Sequence, residues 1–131
     1  MKAYANFSDF ELFGITPAME ESEAAECLRA ASIDVNDICF GRIERYLEKL
    51  PEKTLEMVKE AVLIQSNFFC NNRELFEMNL KSNSVAGVSM TLEVPRGAQQ
   101  INSTIVDSRA VALLTSCGLM SCSFGWYRGL M

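Results

Sequence analysis

The stretch from Pro51 to Leu80 most constrains the fold, because its first two-thirds repeats apolar residues at helical spacing. The stripe consists of Leu55, Val58, Val62, Gln65 and Phe69, and it is widened by Ala61, Ile64 and Phe68. Pro51 suits the first helical position, because its missing N–H would be unpaired there. The stretch predicts one helix over 51–80, roughly 45 Å long at 1.5 Å per residue, around which everything else packs. Asn71 and Asn72 are poor mid-helix residues, so a break at this pair is the alternative.

The overall composition favours one packed domain and argues against two classes of function. The chain has 131 residues, of which 49% are hydrophobic and 22% charged, so we expect a single domain over 1–131. The net charge of −5 argues against nucleic-acid binding through a broad basic surface. The sequence contains neither an apolar run of membrane-spanning length nor the apolar region of a signal peptide, so we expect no membrane association.

The reactive residue types argue against an enzyme. Histidine is absent, which removes the commonest general base and metal ligand together. The cysteines have irregular spacings and no CxxC pair: Cys27, Cys39, Cys70, Cys117 and Cys122. We expect reduced, mostly buried thiols rather than a disulfide framework. The acidic run over 20–26 is explained more simply as a stabilised first helical turn than as an ion site. The sequence therefore predicts no catalysis, no metal site and no cofactor.

Further helices are predicted on both sides of the central one. Thr16 as cap and Pro17 as first residue predict a helix over 17–38. Its buried stripe would be Ala24, Cys27, Leu28, Ala31, Val35 and Ile38. Residues 42–50 form a short amphipathic turn or helix, with an inward face of Ile43, Tyr46, Leu47 and Leu50. A helix over 103–117 is predicted to end at Gly118, with a stripe of Val106, Ala110, Leu113, Leu114 and Cys117.

Two segments are predicted to be completed by other proteins. Within an arm over 82–102, strict alternation predicts a half-buried strand whose apolar side is Val88, Met90, Leu92 and Val94. Such a strand needs a partner, either on a neighbouring subunit or in a private hairpin with the extended return over 99–102. The tail over 118–131 is rich in interface residue types: Phe124, Trp126, Tyr127, Arg128, Leu130 and Met131. Docking on a partner is the sharper interpretation, and folding back on the chain's own core is the alternative.

Four pieces follow one another along the chain in a distinctive order. They are an aromatic-rich start before Ile15-Thr16-Pro17 and an acidic helix; Ala30-Ala31-Ser32-Ile33-Asp34 with Phe40-Gly41-Arg42-Ile43; Val58-Lys59-Glu60-Ala61-Val62 before Asn83-Ser84-Val85-Ala86-Gly87-Val88-Ser89-Met90; and Leu113-Leu114-Thr115-Ser116-Cys117-Gly118-Leu119-Met120. In this order they resemble the head–tail connector (adaptor) proteins of long-tailed bacteriophages and prophages. One departure is the insertion of Ser121–Trp126 before Tyr127-Arg128-Gly129.

The resemblance implies a structural virion protein that forms a dodecameric homo-oligomer ring under the portal in the phage neck. Such a ring joins head to tail and lines the DNA exit channel used in genome ejection. The implied partners are the portal protein, bound through the C-terminal tail, and a tail-side stopper or completion protein. DNA would pass through without specific binding, which suits an acidic subunit. The implied location is the virion, after assembly in the host cytoplasm.

The predicted fold class is mainly α: a small helical bundle around one long central helix, with a β-like arm after it and an extended C-terminal tail. Two other functions stay open. One is a small cytosolic helical protein-binding module whose tail grips a single partner. The other is a different neck or tail-completion protein such as the stopper, although those proteins are more often β-rich.

Overall fold

The computed structural model describes residues 2–73, 97–101 and 104–120. Within them the elements are α1 (Asp9–Leu12), α2 (Glu21–Ile38), α3 (Arg42–Arg45), a 3-10 turn (Leu47–Lys49), α4 (Glu52–Asn71), β1 (Ala98–Ile101), β2 (Thr104–Asp107) and α5 (Ser108–Ser116). The fold is mainly α with a small two-stranded sheet, as the sequence predicts. No helix in the described part of the chain is both long and apolar enough to cross a membrane.

Helix α4 is the centre of the fold, because α2 and α5 both pack along it. Its buried residues surround most of the helix: Val58, Ala61, Val62, Leu63, Ile64, Gln65, Ser66 and Phe68. The predicted start is wrong by one residue, since Pro51 is the N-cap with an extended ψ of 150°. An unbroken helix over 51–80 is also wrong, because Asn72 leaves helical geometry with φ −123° and its side chain donates to the Phe68 carbonyl at 2.9 Å. The alternative of a break at the asparagine pair is confirmed, and 74–80 lie outside the described residues.

Helix α2 begins later than predicted. It starts at Glu21 with Glu20 as N-cap, and Thr16 does not cap it. The physical reason is Asn67 of α4, whose side-chain oxygen accepts from the Ala18 N–H and whose amide donates to the Thr16 carbonyl, both at 2.9 Å. These two bonds hold 16–18 across α4 instead of in a helical turn. The predicted end and the predicted buried stripe of α2 are both confirmed.

The predicted helix over 103–117 is wrong in its first part, which is strand β2. Val106 is buried as predicted, but it lies on β2 and not on a helix. Strand β2 pairs antiparallel with β1, with Ala98 opposite Asp107 and Ile101 opposite Thr104. The Asp107 carboxylate then caps α5 by accepting from the Arg109 N–H at 2.8 Å. A side-chain cap at Asp107 and β-branched residues before it explain why the helix starts at Ser108.

Gln65 attaches this hairpin to the centre of the fold. It is fully buried on α4, and its amide donates to the Ile105 carbonyl at 3.1 Å and to the Asp34 carboxylate at 3.4 Å. Its side-chain oxygen accepts from the Asp107 N–H at 3.0 Å. The sequence analysis assigned Gln65 to an apolar stripe, but it is there to satisfy backbone groups of β2.

The short connection between α2 and α4 is amphipathic in part. Ile43 and Leu50 are buried as predicted. Leu47 was predicted to face inward, and this is wrong, since 38% of it is exposed. A tight 3-10 turn at Leu47–Lys49 rotates its side chain away from the face that a continuous helix would bury.

Candidate functional site

The side chains predicted to dock on other proteins lie outside the described residues. This applies to Val88, Met90, Leu92 and Val94 of the arm, and to Phe124, Trp126, Tyr127, Arg128, Leu130 and Met131 of the tail. Their docking roles stay predictions. The described part of the arm, 97–101, pairs with β2 of the same chain, so this end of it is completed by a private hairpin.

The most unusual backbone among the described residues is at the end of α2. The Phe40 N–H donates to the Asp37 carbonyl at 3.1 Å, and the Gly41 N–H donates to the Asn36 carbonyl at 2.9 Å. This pair of bonds is the Schellman motif, which satisfies the last helical carbonyls. The motif requires a left-handed residue just after the C-cap, and that residue is Phe40, with φ +59°.

Phe40 stands where glycine is preferred, and this placement costs free energy twice. A left-handed conformation costs a residue with a Cβ about 1–2 kcal/mol. In addition, 48% of the phenylalanine is exposed, so much of its apolar surface stays in water. A bulky residue with positive φ is a true outlier, and such outliers concentrate at binding and switch sites. We call Phe40, Gly41 and Arg42 the Phe40 corner.

Arg42 joins the Phe40 corner to the end of α5. Its guanidinium carbon lies 5.2 Å from the centroid of the Phe40 ring, within cation–π distance. Its Nη1 donates to the Leu119 carbonyl at 3.0 Å, across the fold. Leu119 is fully buried and is next to the last described residue, Met120. The exposed aromatic ring and the base of the predicted docking tail are therefore fixed to one another through one side chain.

An apolar pocket lies beside the element that follows the corner. It has a volume of about 370 Å³ and is lined by Tyr4, Glu44, Leu47, Leu55, Val58 and neighbouring residues. The Tyr4 hydroxyl is buried, and within the described part of the chain it has no hydrogen-bond partner. Burial, with smaller contributions from Glu44 and Cys39, raises the pKa of Tyr4 to about 12, so this hydroxyl stays protonated. An incoming acceptor group is the partner that this hydroxyl lacks.

The arrangement suits recognition rather than bond-breaking chemistry. An exposed aromatic ring, a guanidinium and a pocket with one unused donor are the groups found at protein interfaces. Over 2–73, 97–101 and 104–120, no group of three or more cysteine, aspartate or glutamate side chains is placed to hold a metal ion.

Sequence reasoning quoted Phe40 and Arg42 only as parts of a motif and gave them no role. Their role depends on the left-handed backbone at the end of α2 and on a contact with Leu119, 77 positions away in sequence. The usable local signal was the dipeptide Phe40-Gly41, in which the glycine comes one residue after the position that prefers it.

Comparison with known proteins leaves the family open. No family model matches the chain, and no curated protein and no solved structure is significantly similar to it.

Proposed function

We propose that this chain is a head–tail connector (adaptor) subunit of a long-tailed bacteriophage or prophage, a structural protein and not an enzyme. Copies of it would form a ring under the portal in the neck and line the channel through which DNA leaves. The proposal starts from the ordered sequence pieces that resemble this family. A mainly helical body around one central helix agrees with it, and stopper-type neck proteins, which are more often β-rich, agree less well.

The observation that carries the proposal furthest is the Phe40 corner. Folding alone favours glycine or asparagine at this position, so a half-exposed phenylalanine there is better explained by contact with another protein. Arg42 ties the corner to Leu119, from which the chain continues into the predicted docking tail. We infer that the corner and the tail act on the same partner, which in this proposal is the portal.

The energetics of such docking are modest for each subunit. Burying the exposed half of one phenylalanine removes roughly 100 Å² of apolar surface from water, which is about 2 kcal/mol before ordering costs. A ring presents many such contacts at once, so weak contacts of individual subunits sum to firm attachment. The net charge of −5 suits a channel lining that does not retain DNA.

The direct experiment mixes the purified full chain with portal-bearing heads and examines the particles by negative-stain electron microscopy. We expect an added ring of density below the portal. A chain lacking Ser123–Met131 is expected to keep its helical circular dichroism but to leave the heads bare, because the described core does not include those residues.

The substitution Lys49→Gln, at the exposed 3-10 turn, is the matched control and is expected to give normal rings. Normal rings from the truncated chain would contradict the role of the tail. Stable binding to one soluble protein, with no ring on any portal, would instead favour the helical protein-binding module.

A further inference from the structure

Two cysteine thiols meet where α2 packs against the last turn of α4. The sulfur atoms of Cys27 and Cys70 lie 3.1 Å apart, although the residues are 43 positions apart in sequence. Cys27 is buried, with 1% exposure, and Cys70 is half-buried. A covalent S–S bond is about 2.0 Å long, so a movement of roughly 1 Å would join the two sulfurs.

A guanidinium lies beside this thiol pair. Nη2 of Arg73 is 3.6 Å from the Cys27 sulfur and 4.0 Å from the Cys70 sulfur. The side chain is held in place by Glu23, at 3.7 Å, and by the Phe69 ring, whose centroid lies 5.8 Å from its guanidinium carbon. A fixed positive charge next to a thiol stabilises the thiolate, which is the reactive form.

The two thiols differ in their readiness to react. Burial and the neighbouring Cys70 thiol raise the pKa of Cys27 to about 11, against the opposing effect of Arg73. Cys70 is the more accessible of the two and lies on the outer side of the pair. The accessible thiol is therefore the one that meets an oxidant first, and the buried thiol is placed to resolve the product.

We propose that Cys27 and Cys70 form an oxidisable dithiol, which low-molecular-weight disulfides such as oxidised glutathione convert into a disulfide between α2 and α4. The Cys70 thiolate attacks one sulfur of the oxidant and releases one glutathione thiolate, which leaves a mixed disulfide. The Cys27 sulfur loses its proton to the released thiolate and attacks the Cys70 sulfur, which expels the second glutathione. The protein dithiol is oxidised by two electrons, and the oxidant is reduced to two thiols.

Closing this bond would fix the last turn of α4 to α2. The bond lies three residues before Arg73, the last described residue ahead of 97–101. A cross-link that closes a long loop constrains the unfolded chain, so the melting temperature is expected to rise by roughly 5–15 °C. This inference is independent of the neck function.

The test treats the native full chain with oxidised glutathione and then maps peptides by mass spectrometry without reduction. We expect a linked pair of peptides that contain Cys27 and Cys70, and the higher melting temperature given above. With Cys27→Ser, the second step is lost, so a glutathione adduct is expected to accumulate on Cys70. Cys39→Ser is the matched control, because Cys39 is also fully buried, and it is expected to cross-link as the natural chain does.

The role of Arg73 is tested by the pH dependence of the rate. Arg73→Gln is expected to slow cross-linking by roughly threefold or more near neutral pH and to move the rate profile toward higher pH, while Arg73→Lys restores most of the rate. A glutathione adduct that persists on Cys70 of the natural chain would overturn the proposal. A cross-link that instead uses Cys39, Cys117 or Cys122 would also overturn it.

Discussion

Helices α2 and α5 end with the same backbone motif but with different residues at its left-handed position. At the end of α5, the Gly118 N–H donates to the Thr115 carbonyl at 3.1 Å, and the Leu119 N–H donates to the Leu114 carbonyl at 3.2 Å. Gly118 has φ +79°, and Phe40 at the end of α2 has φ +59°. The residue that suits the motif is therefore present at one helix end and replaced by a phenylalanine at the other.

The difference separates a position selected for stability from one that carries another requirement. Behind Gly118 the chain buries Leu119 completely, so this end closes the core. Behind Phe40 there is exposed ring surface and a guanidinium, so this end displays side chains. Since Arg42 bonds the Leu119 carbonyl, the stable end holds the strained end in place.

The largest effect is expected from cutting that link. Arg42→Ala removes a charge-assisted hydrogen bond, worth about 1.5–3 kcal/mol, and a cation–π contact, worth about 0.5–1 kcal/mol. We expect the free energy of unfolding, measured by urea denaturation, to fall by about 2–3 kcal/mol. Arg42→Lys keeps a donor for Leu119 but loses the planar stack, so it should lose about half as much. Equal losses from both variants would show that the link does not depend on the hydrogen bond to Leu119.

A pH effect of about 2 kcal/mol is expected from Asp34, within α2 but away from its strained end. Burial raises the pKa of Asp34 from 3.8 to about 6, against the hydrogen bond from Gln65. The folded state therefore binds this proton more tightly than the unfolded state. The stability that Asp34 contributes is full below pH 3.8 and is lost as the pH rises through about 6.

The measurement is the pH dependence of unfolding for the natural chain minus that for Asp34→Asn. The same difference is expected in a Phe40→Gly background, because the Asp34 carboxylate bonds Gln65 and not the Phe40 corner. A changed difference would mean that the strained end of α2 and its middle are coupled.

A smaller loss is expected when the stable end is made to resemble the strained one. Gly118→Leu places a Cβ in the left-handed region, which costs about 1–2 kcal/mol of unfolding free energy. Gly118→Asn should cost clearly less, because asparagine tolerates that region. If the two variants unfold at the same denaturant concentration, conformational strain at this position is not what distinguishes the two helix ends.

Local patterns predicted much of this architecture, and long-range contacts account for the rest. The buried stripe of α2, the break at the asparagine pair and the stop at Gly118 follow from spacing and residue type. The late start of α2 depends on Asn67, and the strand before α5 is supported by Gln65, and neither partner is near in sequence. The Phe40 corner was missed because its meaning lies in a backbone angle and in the contact of Arg42 with Leu119.

The central claim is that Phe40 is kept for binding at the expense of stability, and Phe40→Gly tests it most directly. Relief of left-handed strain, about 1–2 kcal/mol, exceeds the lost stacking on Arg42, about 0.5–1 kcal/mol. Phe40→Ala keeps the strain and loses the stacking. We predict that Phe40→Gly unfolds at a higher urea concentration than the natural chain and Phe40→Ala at a lower one, while neither forms rings on portal-bearing heads. A Phe40→Gly chain that is less stable, or that still forms normal rings, would contradict the account.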